Sequence, residues 1–99
     1  MIYQKGAVFT VKIIRQASAG TMESSDVYVE IEPAANGLSV RIESVVEKQF
    51  GEKIESTVRE VLADNGIDNA EVRVFDRGAL ECVLRARVET AVLRSGGEA

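Results

Sequence analysis

Histidine is absent from the chain, and with it the usual general base near neutral pH and the commonest metal ligand. Independent catalysis and a metal site are both disfavoured. Cysteine occurs once, at Cys82, so no internal disulfide can form and a reducing, cytoplasmic setting fits. A basic excess is also missing. The 12 Lys and Arg residues face 16 Asp and Glu, for a net charge of -4, whereas a surface that reads nucleic acid needs the opposite balance. No apolar run approaches membrane-spanning length, and no basic region leads into an apolar segment and cleavage site. Neither nucleic acid nor membrane is an expected partner. With a single proline and 45% hydrophobic residues in 99, the chain is expected to form one compact soluble domain, too small for a catalytic cleft between two domains.

Hydrophobic periodicity supplies the elements. Val27, Val29 and Ile31 alternate with Tyr28, Glu30 and Glu32, which predicts a strand over Val27–Ile31 that stops at Pro33. The Asn36-Gly37 pair leads into a second alternating run, Leu38–Ile42, and together they read as a hairpin. Ser44-Val45-Val46-Glu47 has capping-box spacing, so a helix is expected from Val45, with Val46, Phe50, Ile54, Val58, Val61 and Leu62 on its buried face and Asn65-Gly66 at its end. Gly51, inside that helix, would let another backbone approach. Ala70–Phe75 alternates again, and after Asp76-Arg77-Gly78 a second helix places Leu80, Val83, Leu84, Val88, Ala91 and Val92 at helical spacing. The expected fold is α+β: a small two-layer sandwich in the order β-β-α-β-α, an antiparallel hairpin plus a third strand, with two amphipathic helices on one face. Residues 1–10 read as an N-terminal extension, either a frayed tail or a short edge strand, residues 11–94 as the domain, and residues 95–99 as a disordered tail.

The stretch Ala19-Gly20-Thr21-Met22-Glu23-Ser24-Ser25-Asp26 sets two hydroxyls between two carboxylates just before a strand. Gly20 gives backbone freedom and the Ser/Asp cluster favours a local turn, so the segment can present a serine to another molecule or serve as an ordinary polar turn. This stretch, together with Ser44-Val45-Val46-Glu47-Lys48-Gln49-Phe50-Gly51 and Asp76-Arg77-Gly78-Ala79-Leu80-Glu81-Cys82 running into Val83-Leu84-Arg85-Ala86-Arg87-Val88, resembles the acyl carrier (gamma) chains of citrate lyase from about Val11 to Arg94. The order and spacing of the pieces match together.

The resemblance implies that Ser24 is the attachment point of a 2'-(5''-phosphoribosyl)-3'-dephospho-CoA arm. Ser25 matches a position where the family tends to have serine or glycine. Implied partners are the alpha and beta subunits of citrate lyase and a dedicated prosthetic-group transferase, in a hetero-oligomer that converts citrate to acetate and oxaloacetate. The carrier itself would be non-catalytic. It does not resemble the helical phosphopantetheine carriers, since no Asp-Ser-Leu occurs. Relative to the family's usual start, Met1 to Thr10 are additional, and Val11 is expected to mark an alternative start.

Glu23 and Asp26 either orient the serine for its transferase or attract a basic partner, or they shape the turn. Arg87, near the apolar stripe of the second helix, is a candidate for the arm's phosphates. Arg85 reads instead as part of a Glu81–Arg85–Glu89 surface ladder. Cys82 reads as a buried or half-buried helix cysteine. Tyr28 and Phe75 fall on the strand face opposite the core, where they mark a partner interface or are scattered exposed aromatics. Competing functions are the carrier of citramalate lyase, a plain protein-interaction module, and an enzyme using Ser24 or Cys82 as nucleophile, against which the missing histidine counts. Protein from the native host is expected to begin at residue 11, which N-terminal sequencing checks; an intact Met1 contradicts it.

Overall fold

The computed structural model describes residues 12–44 and 48–96. Within them the chain runs β1 (Ala17–Gly20), β2 (Val27–Glu32), β3 (Leu38–Ser44), α1 (Lys48–Asp64), β4 (Ala70–Asp76) and α2 (Glu81–Arg94). The expected extension 1–10 lies outside the described residues. Period-two alternation builds the sheet. Val27, Val29 and Ile31 of β2 and Ala70, Val72 and Val74 of β4 are buried, while the residues between them are half-exposed. Helices α1 and α2 pack on each other; α1 lies against β3, and α2 against β1 and β2. Val58, Val61 and Leu62 from α1 join Leu84, Val88, Ala91 and Val92 from α2 in one core with the inward strand residues. The two-layer α+β arrangement with both helices on one face is therefore as expected. No helix among the described residues is long and apolar enough to cross a membrane.

The strand pairing differs from expectation. The sheet order is β1-β2-β4-β3, with β2 antiparallel and β3 parallel to β4. The hairpin expected between Val27–Ile31 and Leu38–Ile42 does not form, because β4 lies between its two arms. Those arms are two strand spacings apart, about 10 Å, a gap that residues 33–37 span easily at roughly 3.3 Å per extended residue. An Asn-Gly pair signals a turn, but it cannot say which strand will fill the space beside it. Here the Gly37 N–H donates to Asn69 Oδ1 at 2.6 Å and ties the connection to the start of β4. Adjacent parallel strands need a long crossover, which the 17 residues of α1 supply.

Strand β1 is an addition to the expected set and makes the order β-β-β-α-β-α. Its sequence, Ala-Ser-Ala-Gly, has no bulky alternation to betray a strand, yet Ala19 is buried and pairs with Val29. Three smaller corrections follow. Strand β3 continues to Ser44, whose hydroxyl donates to Asp76 Oδ2 at 2.9 Å, and residues 45–47, over which the capping box would act, lie outside the described residues. Phe50, expected in the core, is 52% exposed, because the first turn of α1 sits at the rim of a hollow shared with Ile54, Ala79 and Leu84. A side chain at Gly51 would meet nothing within 4 Å among the described residues, so no backbone among them approaches that glycine closely.

The expected tail at 95–99 is also revised at its start. Ser95 is fully buried; its carbonyl accepts from the Ile14 and Arg15 N–H groups at 3.1 and 3.2 Å, which staples the segment before β1 to the end of α2. Residues 97–99 lie outside the described residues.

Two leucines separate core packing from surface. Leu62 is fully buried and Leu93 is 61% exposed. Leu62→Ala is expected to lower unfolding stability by about 2–5 kcal/mol, and Leu93→Ala by no more than about 0.5 kcal/mol. Urea denaturation of both variants checks this.

Candidate functional site

Strands β1 and β2 are antiparallel neighbours, and residues 21–26 join them. Both ends of this loop are fixed. Gly20 has φ +96°, and a Cβ there would come within 1.8 Å of the Val27 carbonyl oxygen and 3.2 Å of Arg87 Cδ, so only glycine lets the chain fold back this tightly. At the other end the Asp26 carboxylate collects three groups. Thr21 Oγ1 donates to Oδ2 at 2.7 Å, the Val27 N–H donates to Oδ1 at 2.7 Å, and the Arg87 guanidinium grips both oxygens at 3.2 and 2.9 Å. Thr21 Oγ1 in turn accepts from the Glu23 N–H at 3.2 Å, and the Asp26 N–H donates to the Glu23 carbonyl at 3.1 Å.

A third brace comes from the end of β4. The Ser25 N–H donates to the Arg77 carbonyl at 2.8 Å and the Arg77 N–H donates to the Asp26 carbonyl at 2.9 Å. Ser25 takes φ +68°, a left-handed backbone that is rare outside glycine. Ser24 is left at the exposed tip, and no group among the described residues hydrogen-bonds its hydroxyl. The loop is held by atoms other than the Ser24 and Ser25 hydroxyls it presents.

The residues singled out in the sequence thus have distinct fates. Ser24 and Ser25 are both exposed, neither hydroxyl has a hydrogen-bond partner among the described residues, and Glu23 is exposed beside them. Asp26 shapes the turn. Arg87, 61 positions away on α2, does reach the loop, where its Nε and one terminal nitrogen grip the Asp26 carboxylate and brace the turn. Arg85 pairs with Glu81 at 3.1 Å and with Glu60 of α1, so its ladder joins the two helices where Glu89 was the expected partner. Cys82 is exposed, not buried as expected, because it lies in the first turn of α2 ahead of the buried stripe that begins at Leu84. Tyr28 and Phe75 are cross-strand partners on the outer face, with ring centroids 6.1 Å apart. Sequence reasoning missed Thr21 and Arg77. Thr21 could have been found as a hydroxyl directly after the glycine and able to reach back to the loop's closing aspartate; the role of Arg77 depends on strand order and left no local signal.

Comparison with known proteins bears on this loop. The acyl carrier (ACP) family described as malonate decarboxylase delta subunit (MdcD) matches residues 14–95. The chain is 58% identical over 87 residues to a citrate lyase acyl carrier protein of Haemophilus influenzae, covering 88% of this chain and 90% of that one. A Klebsiella pneumoniae protein of the same name is 59% identical over 80 residues, 80% of this chain and 82% of its own. The chain belongs to the citrate lyase acyl carrier protein family. Its fold is similar to a chain in the crystal structure of a Pseudomonas malonate decarboxylase hetero-tetramer in complex with malonate, at TM-score 0.73 and 25% identity, covering 88% of this chain and 90% of that one. The positive φ of Ser25 is a backbone that glycine would adopt without strain.

Electrostatically the loop centres on Asp26. The Thr21 hydroxyl above all, then the Arg87 guanidinium and the Val27 N–H, lower its pKa from 3.8 to about 2. Such a carboxylate is a poor general base at neutral pH. Because the folded value is depressed, the ionised form stabilises the fold fully above about pH 4 and that contribution is lost as pH falls through about 2. The stability gap between the parent and Asp26→Asn is therefore expected to stay constant above about pH 4 and to close toward about pH 2, as read from urea midpoints across that range. A gap independent of pH would contradict this account.

Proposed function

We propose that the chain is the acyl carrier subunit of citrate lyase, with Ser24 as the attachment point of a phosphoribosyl dephospho-CoA arm. The setting of the residue supports the assignment: in a loop pinned through Gly20, Thr21, Asp26 and the backbone of Ser25, the Ser24 hydroxyl is exposed and without a hydrogen-bond partner among the described residues, a state the Ser25 hydroxyl shares while its backbone is held left-handed by Arg77. The names of the relatives support the complex it serves.

The residues present fit such a group. An exposed hydroxyl at a loop tip can enter a transferase active site and afterwards hold a long substituent clear of the domain. When bound, the arm supplies a thiol that holds acyl groups as thioesters, so that one tethered carrier can serve successive active sites at high effective concentration. The chain's own contribution is to fix the attachment point. Gly20, Thr21, Asp26 and Arg87 hold the turn, and no side chain among the described residues competes for the Ser24 proton. The base that removes that proton belongs to the transferase, since Asp26 has both oxygens engaged and its pKa at about 2. Catalytic groups for cleavage of citrate to acetate and oxaloacetate sit on alpha and beta subunits, and the assembly works in the cytoplasm.

The test is the intact mass of the chain co-expressed with its neighbouring genes, beside Ser24→Ala treated in the same way. An adduct of the arm's mass on the parent and none on the variant is the expected result. An adduct kept by the variant would move the site to Ser25. No adduct on either, with a competent transferase present, would favour a protein-interaction module.

A further inference from the structure

Most basic side chains of the described residues are engaged. Arg15 and Arg94 donate to backbone carbonyls, and Lys53, Arg59, Arg73, Arg85 and Arg87 pair with carboxylates. Lys12, Arg41 and Arg77 have no such partner among the described residues. Arg41 lies on β3, at the sheet edge away from the Ser24 loop, and Lys12 precedes β1. Arg77 is different. Its own N–H and carbonyl are bonded to Asp26 and Ser25, so this cation is built into the base of the loop, one residue along from Ser24.

Arg77 also shares a hollow of about 320 Å³ with Met22 from the loop and with Phe75, Asp76, Ser44 and Glu43. Met22 is 49% exposed, so the hollow opens beside the loop. Of its two acidic residues, Asp76 is engaged, accepting from the Ser44 hydroxyl and from the Ala79 N–H. Glu43 stands across β4, on the side away from the loop. Near Ser24 the balance is sharper: Asp26 is paired with Arg87, while the exposed Glu23 makes no ion pair among the described residues. A phosphodiester on Ser24 would therefore add negative charge next to an uncompensated carboxylate. Arg77, bonded through its backbone to Ser25 and lining the hollow with Met22, carries an unpaired guanidinium whose fork matches phosphate oxygens.

We infer that Arg77 holds the phosphodiester that would join the arm to Ser24, and that the hollow between Met22 and Phe75 receives the first part of the arm. This rests on the carrier reading above and assigns it a residue. No bond forms or breaks in the contact. Arg77 is a positioning residue here, setting the direction in which the arm leaves the loop.

The experiment uses the full chain, first without and then with the arm loaded by its transferase, the loading confirmed by intact mass. The probe is the Nε–H resonance of Arg77, assigned by its disappearance in Arg77→Lys. Loading is expected to shift this resonance downfield and slow its exchange with water, to leave Arg41 unchanged, and to be reversed by high salt, which screens an exposed ion pair. In Arg77→Gln, the phosphorus resonance of the phosphodiester, distinct from those of the arm's diphosphate, is expected to move relative to the parent while the thermal midpoint stays unchanged. If the parent is fully loaded at Ser24 and the Arg77 resonance does not move, the inference is overturned and the carrier reading stands. If the parent takes no adduct beside a competent transferase, the carrier reading fails and this inference fails with it.

Discussion

Backbone pairing along both edges of β4 is the constraint on which the rest of the molecule depends. This strand enters late in the chain, yet it lies between β2 and β3, antiparallel to one and parallel to the other. The two earlier strands have no direct bond to each other and are joined through it. Its register carries on past its last residue, since Arg77 exchanges backbone hydrogen bonds with Ser25 and Asp26 just after Val27 has paired with Asp76. The sheet and the Ser24 loop are therefore one hydrogen-bonded unit, and the loop inherits the rigidity of the strand that locks the sheet.

The loop shows how order can be obtained without using the group that matters. Backbone bonds, one glycine and the Thr21–Asp26–Arg87 cluster fix its course and leave the Ser24 hydroxyl unused. An aspartate next to a serine commonly suggests activation of the hydroxyl, but here the carboxylate is turned to Thr21, Val27 and Arg87. Its negative charge serves the fold. The outer face of the sheet follows a similar logic, with Arg73 held among Glu30, Glu32 and Glu71 at 2.8 to 3.0 Å so that cross-strand charges balance in place.

Local pattern carried the three strands beginning at Val27, Leu38 and Ala70, both helices and the position of the exposed turn. It did so because amphipathic periodicity reports burial directly. It could not carry strand order. The residues 33–37 satisfy turn chemistry equally well whether the following strand pairs with β2 or stands one place further away. Ala17–Gly20 escaped notice because a strand built of small residues buries little and alternates weakly. Arg87 was drawn toward the site from its place on α2, but the carboxylate it would meet there was not. Arg77 and Ser95 owe their roles to contacts made by strand order and by the chain before β1, and neither has a local signature.

The left-handed backbone at Ser25 carries a consequence for recognition. That conformation is held by bonds to Arg77, a residue 52 positions further along the chain (77 minus 25). A short peptide of the same sequence has no such support and would rarely adopt the shape. A partner that recognises this turn therefore recognises the assembled sheet, and a chain that has not finished folding does not display it.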